Sequence, residues 1–347
     1  MKKLPTIMAT MADNRCTAPF VDELIRAGAS SVRVNSAHVS PDRFAEMVSV
    51  MRSVCPTLPI LMDTKGPEIR IGEIPEGVGC IELFEGDEVT LRCTGEPCTP
   101  DEISISYPHL ASHVAPGSVI LLDDGEIELR VTATKPDGGV VCRVVAPGAL
   151  LSRKSLSVPG ADITDLPAVT PRDAASLRAA AACRIAMVAH SFVRSADDLR
   201  RVRAILDENG PSGVKLFAKI ECRGALARFD EILAEADGLL VARGDMGMEM
   251  PQEYIPALQA EIISRCRQAG KPVIVATQLL HSMMQHPRPT RAEVADIVEC
   301  CREGADTLLL CGETAAGRYP VQAVMMMRRA IAASTLDPYT LLNQPMK

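Results

Sequence analysis

From Pro5 to Leu336 the chain repeats one motif: a short apolar run, a polar turn, then apolar residues recurring every 3.6 positions. Eight runs stand out: Thr6–Met11, Ser31–Asn35, Ile60–Asp63, Ala186–Phe192, Leu216–Glu221, Gly238–Val241, Val273–Thr277 and Thr307–Cys311. They are nearly continuous in apolar character, as parallel strands covered on both faces must be. Helices are predicted over Val21–Ala27, Pro41–Val54, Ala196–Asn209, Ala225–Ala236, Gln252–Ala269, Arg291–Glu303 and Val321–Ser334. Glycine stops close two of them, in Ala269-Gly270-Lys271-Pro272 and Glu303-Gly304-Ala305-Asp306. Eight βα repeats in one chain close into a barrel more readily than they extend an open sheet, so the expected fold is α/β, a (β/α)8 TIM barrel.

The rhythm breaks between about Ile71 and Leu166. Here short alternating runs, Glu88–Cys93, Ser118–Leu122, Ile127–Thr132 and Gly139–Val145, are separated by turns at Asp124-Gly125 and Asp137-Gly138-Gly139. The pattern predicts a small all-β lid inserted after the third barrel strand. The expected division is residues 1–69 and 166–347 for the barrel and 70–165 for the lid. An insertion there sits over the C-terminal mouth of a barrel, where function normally lies.

Composition narrows the function. Aromatics make up only 3% of the chain, with no Trp, too few for stacking single-stranded nucleic acid. The net charge is −7 and no long basic run is present, so neither nucleic acid nor an anionic membrane is an expected partner. No signal peptide or membrane-length apolar stretch is visible, and a cytoplasmic location is expected. The twelve cysteines show no C-x-x-C spacing, as reduced buried thiols would.

Residues two apart on a strand face the same side. Polar pairs with this spacing fall at the ends of four runs: Arg33 and Asn35, Asp63 and Lys65, Lys219 and Glu221, Arg243 and Asp245. Thr277 and Glu313 end the last two. One such pair is as easily a rim ion pair. Four pairs converging on one mouth would be costly to desolvate without a ligand or metal. Glu221 and Asp245 suit a hard cation, Mg2+ or Mn2+, that takes oxygen ligands. Lys219, Arg33 and Lys65 add fixed positive charge, a combination suited to phosphoryl transfer. Glycines 244 and 247 around Asp245 could present backbone N–H groups to an anion, although such glycines are more often a tight turn.

These residues resemble the pyruvate kinase family. The resemblance runs through Met62-Asp63-Thr64-Lys65-Gly66-Pro67-Glu68-Ile69-Arg70, Asp165-Leu166-Pro167-Ala168-Val169-Thr170, Lys219-Ile220-Glu221 and Val241-Ala242-Arg243-Gly244-Asp245. It continues through Ala276-Thr277-Gln278, Pro287-Arg288-Pro289-Thr290-Arg291-Ala292-Glu293 and Gly312-Glu313-Thr314-Ala315. It implies transfer of the phosphoryl group of phosphoenolpyruvate to ADP, giving pyruvate and ATP. It implies Mg2+ on Glu221 and Asp245, Lys219 on the phosphoryl group in flight and Arg33 on phosphate. Thr277 with the Gly244 and Asp245 backbone would take the carboxylate, and Arg70 and Lys154 the nucleotide phosphates. Asn35, Asp63 and Thr64 match the family's K+ ligands, and Glu68 the variant that accompanies a K+ requirement. A homo-oligomer joined through barrel contacts is a further implication.

Departures from the family pattern are local. Ala37 stands where a serine would ligate K+, leaving Ser36 or a water to substitute. Thr10-Met11-Ala12-Asp13 replaces the usual turn after the first strand, and Ser155-Leu156-Ser157-Val158 differs near the lid's return. Cys311 replaces a serine and His281 a glutamate, which bears on proton delivery to the enolate. The chain stops soon after the eighth helix, so the family's C-terminal regulatory domain is expected to be absent. His38, His190 and His286 lack paired acids and are read as structural, Met325–Met327 as core filling, and Arg288, Arg291 and Glu293 as a structural or interface network. Two alternatives stay open: a diverged paralogue acting as a binding or regulatory module, and a Mg2+-dependent lyase handling pyruvate.

Overall fold

A computed structural model of the chain describes residues 4–161, 163 and 165–336. Eight parallel strands form a closed barrel: β1 (Thr6–Thr10), β2 (Ser31–Asn35), β3 (Ile60–Asp63), β4 (Met187–His190), β5 (Lys215–Ile220), β6 (Gly238–Ala242), β7 (Val273–Ala276) and β8 (Thr307–Leu310). Each strand lies beside its neighbour in sequence. β8 returns to β1, with Thr6 opposite Thr307 and Ala9 opposite Leu310.

The two faces of the strands separate as their period of two requires. Met8, Leu61, Ala189, Phe217, Leu240, Ile274 and Leu309 fill the barrel interior. Their neighbours in sequence, such as Ile7, Met62, Val188, Leu216 and Val275, pack outward against the helices. At Gly238 an added Cβ would lie 2.4 Å from the Phe217 ring and 2.7 Å from the Pro272 carbonyl oxygen. The glycine is therefore the counterpart of a bulky ring inside a narrow barrel.

The helices begin at readable caps. Ser40 accepts from Arg43 N–H to open Pro41–Val54. Capping boxes pair Thr170 with Asp173 and Thr290 with Glu293. Gly304 closes Arg291–Glu303 in the left-handed conformation, φ 99°. Three helical features differ from expectation. The stretch from 225 to 236 is two helices, Arg223–Ala227 and Phe229–Glu235, meeting at Arg228. Pro171–Ala182 is an additional helix, whose buried face is Asp173, Ser176, Leu177 and Ala180. Two polar residues and one small one in that face leave little apolar period to detect. Arg243–Glu249 is also helical and begins where β6 ends.

The inserted unit is all-β. Its six-stranded sheet runs in the order Leu156–Ser157, Val119–Leu122, Ile127–Thr134, Val140–Ala146, Glu88–Arg92, Glu102–Ser104. Ile81–Leu83 and Gly148–Leu150 pair separately. The unit has its own core, including Ile71, Leu91, Ile103, Ile120, Leu129 and Cys142, and Ile69 belongs to it. Residues 337–347, assigned to the barrel on sequence, lie outside the described residues. Among the described residues, which include all twelve cysteines, none forms a disulfide. Among the described residues no helix is long and apolar enough to cross a membrane.

Candidate active site

The interior face of the barrel turns polar at its C-terminal mouth. Lys219 is the hub. Its Nζ donates to Ser191 Oγ at 2.7 Å and lies 2.7 Å from Glu221 Oε1 and 3.3 Å from Asp63 Oδ1. Asp63 is 2% exposed. Its Oδ2 accepts from Arg33 Nε and Nη2 at 2.9 and 2.6 Å, while Arg33 Nη1 reaches Thr10 Oγ1 at 3.2 Å. Burial opposes charge on Lys219, yet Asp63 and Glu221 outweigh it and raise its pKa. Burial likewise resists ionisation of Asp63, and Lys219 and Arg33 overcome it, leaving the carboxyl below its usual range.

Glu221 is fully buried. Its Oε2 accepts from Phe192 N–H at 2.6 Å. Its Oε1 has the Lys219 ammonium at 2.7 Å but makes no hydrogen bond of good geometry, so a buried lone pair stays open. Burial pushes the Glu221 carboxyl up to about 8, against the pull of Lys219 and with Asp245 adding to the rise. Asp245, in the first turn of Arg243–Glu249, is half-buried and makes no hydrogen bond or ion pair among the described residues. An open carboxylate oxygen, a free carboxylate and a strained ionisation together ask for one more positive charge. Only two carboxylates are offered; among the described residues no three His, Cys, Asp or Glu side chains gather as a metal cluster. That donor set fits Mg2+, which keeps waters and substrate oxygens in its remaining positions.

Beside Asp245, Gly244 N–H donates to Thr277 Oγ1 at 2.8 Å. Two residues expected at the mouth are turned to other work. Arg243 points aside: its guanidinium donates to both oxygens of Asp296, to Gln259 Oε1 and to the Thr277 carbonyl. Glu313 accepts from Leu280 N–H and Cys311 N–H at 3.0 and 2.8 Å, which occupies both carboxylate oxygens. Cys311 is half-buried at the end of β8; burial raises its thiol pKa, which the Arg33 charge opposes. His281 is exposed.

The residues matched to K+ ligands lie together but are engaged. Asn35 Oδ1 accepts from Ala37 N–H at 3.0 Å, and the Thr64 carbonyl accepts from Ser191 Oγ at 2.7 Å. Ser36 Oγ, 2% exposed, has no hydrogen-bond partner among the described residues. On the nucleotide side, Arg70 grips Glu68 Oε2 through Nε and Nη2 at 2.8 and 2.7 Å and donates to the Arg153 carbonyl. Lys154 pairs with Asp123 within the lid at 2.7 Å. The lid touches the barrel mouth close by, where Gly125 packs near Met248 of Arg243–Glu249.

Sequence reasoning passed over three polar groups. Ser191 continues the interior stripe of β4, two residues beyond Ala189, and bridges Lys219 to the Thr64 carbonyl. Asp173, fully buried, accepts from Lys65 and Gly66 N–H and so fixes the loop after β3. Asp296 anchors Arg243. The two-residue rule would have found Ser191, and the Thr-Pro-Arg-Asp cap would have flagged Asp173. His190 is structural: its Nε2 donates to the Ala168 carbonyl and its Nδ1 meets Thr64 Oγ1 at 2.9 Å. Glu293 serves as a cap and also holds Ser282.

The chain is similar to known proteins along nearly its whole length. Residues 2–324 match a family model described as the barrel domain of pyruvate kinase. A pyruvate kinase of Geobacillus stearothermophilus is 40% identical over 355 residues, covering 100% of this chain and 60% of the relative. One from Staphylococcus saprophyticus is 39% identical over 342 residues, covering 97% and 58%. One from Borreliella burgdorferi is 38% identical over 327 residues, covering 94% and 67%. The chain thus spans about 60% of the length of the first of these relatives.

Proposed function

Because the chain belongs to the pyruvate kinase family, in the segment that forms the barrel, we infer that it transfers the phosphoryl group of phosphoenolpyruvate to ADP. The observation that carries this reading is the buried Lys219 ammonium, held between Glu221 and Asp63 and beside the unpaired Asp245. A fixed cation at such a point can meet a phosphoryl group between donor and acceptor oxygens, and phosphoryl transfer depends mostly on such positioning and charge.

In the reaction, the bond between phosphorus and the enol oxygen breaks while a bond to the terminal oxygen of ADP forms. The enolate left behind takes up a proton to become pyruvate. Glu221 and Asp245 would hold Mg2+ or Mn2+, which when bound supplies Lewis acidity favouring negative charge on the enolate oxygen. Lys219 neutralises charge on the moving phosphoryl group, and Arg33, fixed by Asp63, holds its oxygens from the side. Thr277 Oγ and the Gly244–Asp245 backbone receive the carboxylate. Arg70 and Lys154 take the nucleotide phosphates, with Lys154 exchanging Asp123 for phosphate. Asn35, Asp63 and the Thr64 carbonyl would remain as oxygens for K+, with no side-chain oxygen from Ala37 to complete the set.

The carboxylate pair can be tested directly. Glu221→Gln and Asp245→Asn should each weaken Mn2+ binding, read by electron paramagnetic resonance, and abolish pyruvate formation. In the unaltered protein, Mn2+ affinity should fall as pH drops through about 8, where protons compete for Glu221. Unchanged Mn2+ affinity in both variants would remove the metal from these two residues.

A further inference from the structure

The turn that faces the proposed carboxylate position is built from backbone that resists its own shape. Thr277 has φ +71° and Gln278 φ +55°. Left-handed backbone is uncommon for any side chain and a true outlier for a β-branched one. Such strain persists only where the surroundings over-determine it. Here the restraint is visible. Arg243 Nη2 donates to the Thr277 carbonyl at 2.6 Å. Its Nη1 donates to Asp296 Oδ1 and Oδ2 at 2.7 and 2.8 Å, and reaches Gln259 Oε1 at 3.3 Å. Asp296 lies on the helix Arg291–Glu303 and Gln259 on Ile255–Gln268. One guanidinium, 11% exposed, therefore ties two outer helices to the turn after β7.

The consequence lies on the other side of Thr277. With the carbonyl drawn toward Arg243, the hydroxyl meets Gly244 N–H at 2.8 Å, one residue before Asp245. We propose that Arg243 and Asp296 are positioning residues: they set the angle of Thr277 and Gly244, and through them the binding of the phosphoenolpyruvate carboxylate, without touching substrate. This rests on the functional reading above. The planar fork of arginine is what reaches carbonyl and carboxylate together, a geometry that a lysine ammonium does not reproduce.

The test compares Asp296→Ala with Asp296→Asn, the latter keeping the side-chain volume should the alanine variant fail to fold. A group that only binds carboxylate acts equally on ground and transition states, so the Michaelis constant should move and the turnover number should not. The expected result is a rise in KM for phosphoenolpyruvate of about 10- to 100-fold, with KM for ADP and kcat little changed. Calorimetric titration of pyruvate into the Mn2+-loaded protein should weaken by a similar factor. Arg243→Lys should behave like the alanine variant. An unchanged KM for phosphoenolpyruvate in a folded Asp296 variant would overturn the proposal. So would a matched rise in both Michaelis constants with a lower unfolding midpoint, which a purely structural tie would give. A wild-type protein without turnover would sink the functional reading instead, and the pyruvate titration would still decide the role of Asp296.

Discussion

Lys219 illustrates how one residue sets the chemistry of a site. Its ammonium is buried, which would ordinarily expel charge, but oxygens of Asp63, Ser191 and Glu221 surround it. Replacing it with methionine keeps the volume and removes the charge. Lys219→Met should cut kcat by about a hundred- to a thousand-fold, the scale for losing one preorganised electrostatic partner of a transition state. Mn2+ should still bind, since both carboxylates remain. A variant with near-normal turnover would contradict the role given to this lysine. Arg33, Asp63, Lys219 and Glu221 were legible because they continue the two-residue period of strands that do exist. Arg243 and Glu313 were misread for the same reason in reverse. Each lies just past its strand, in the first turn of a short helix, where the period of two no longer tells which way a side chain points.

At the scale of elements, all eight strands were placed within two residues at every end, because a parallel barrel buries both strand faces and leaves long apolar runs. Pro171–Ala182 was missed because its buried face contains Asp173 and Ser176, which serve the loop after β3 and not a greasy core. β6 carries a specific packing demand. Gly238→Ala would drive a methyl into the Phe217 ring and the Pro272 carbonyl, and the second of these is backbone that cannot rotate away. Overpacking of this kind costs about 1–3 kcal/mol, which urea unfolding would register as a lower midpoint. Pairing it with Phe217→Leu should restore only part of that loss. Full restoration would show that the ring alone sets the requirement.

For the molecule as a whole, the barrel supplies the fixed charges and the inserted β unit supplies a wall over them. The insertion was legible from a break in rhythm, and its turns from Asp-Gly pairs. Its seating was not, because it depends on pieces remote in sequence: the Asp123–Gly125 turn meeting Met248, and Lys154 paired with Asp123. The most direct check on the proposed chemistry is phosphorus NMR of the protein mixed with phosphoenolpyruvate, ADP and Mg2+. The phosphoenolpyruvate signal should be replaced by the three phosphate signals of ATP as pyruvate accumulates. A persistent phosphoenolpyruvate signal, or its replacement by inorganic phosphate with ADP untouched, would contradict phosphoryl transfer at this barrel mouth.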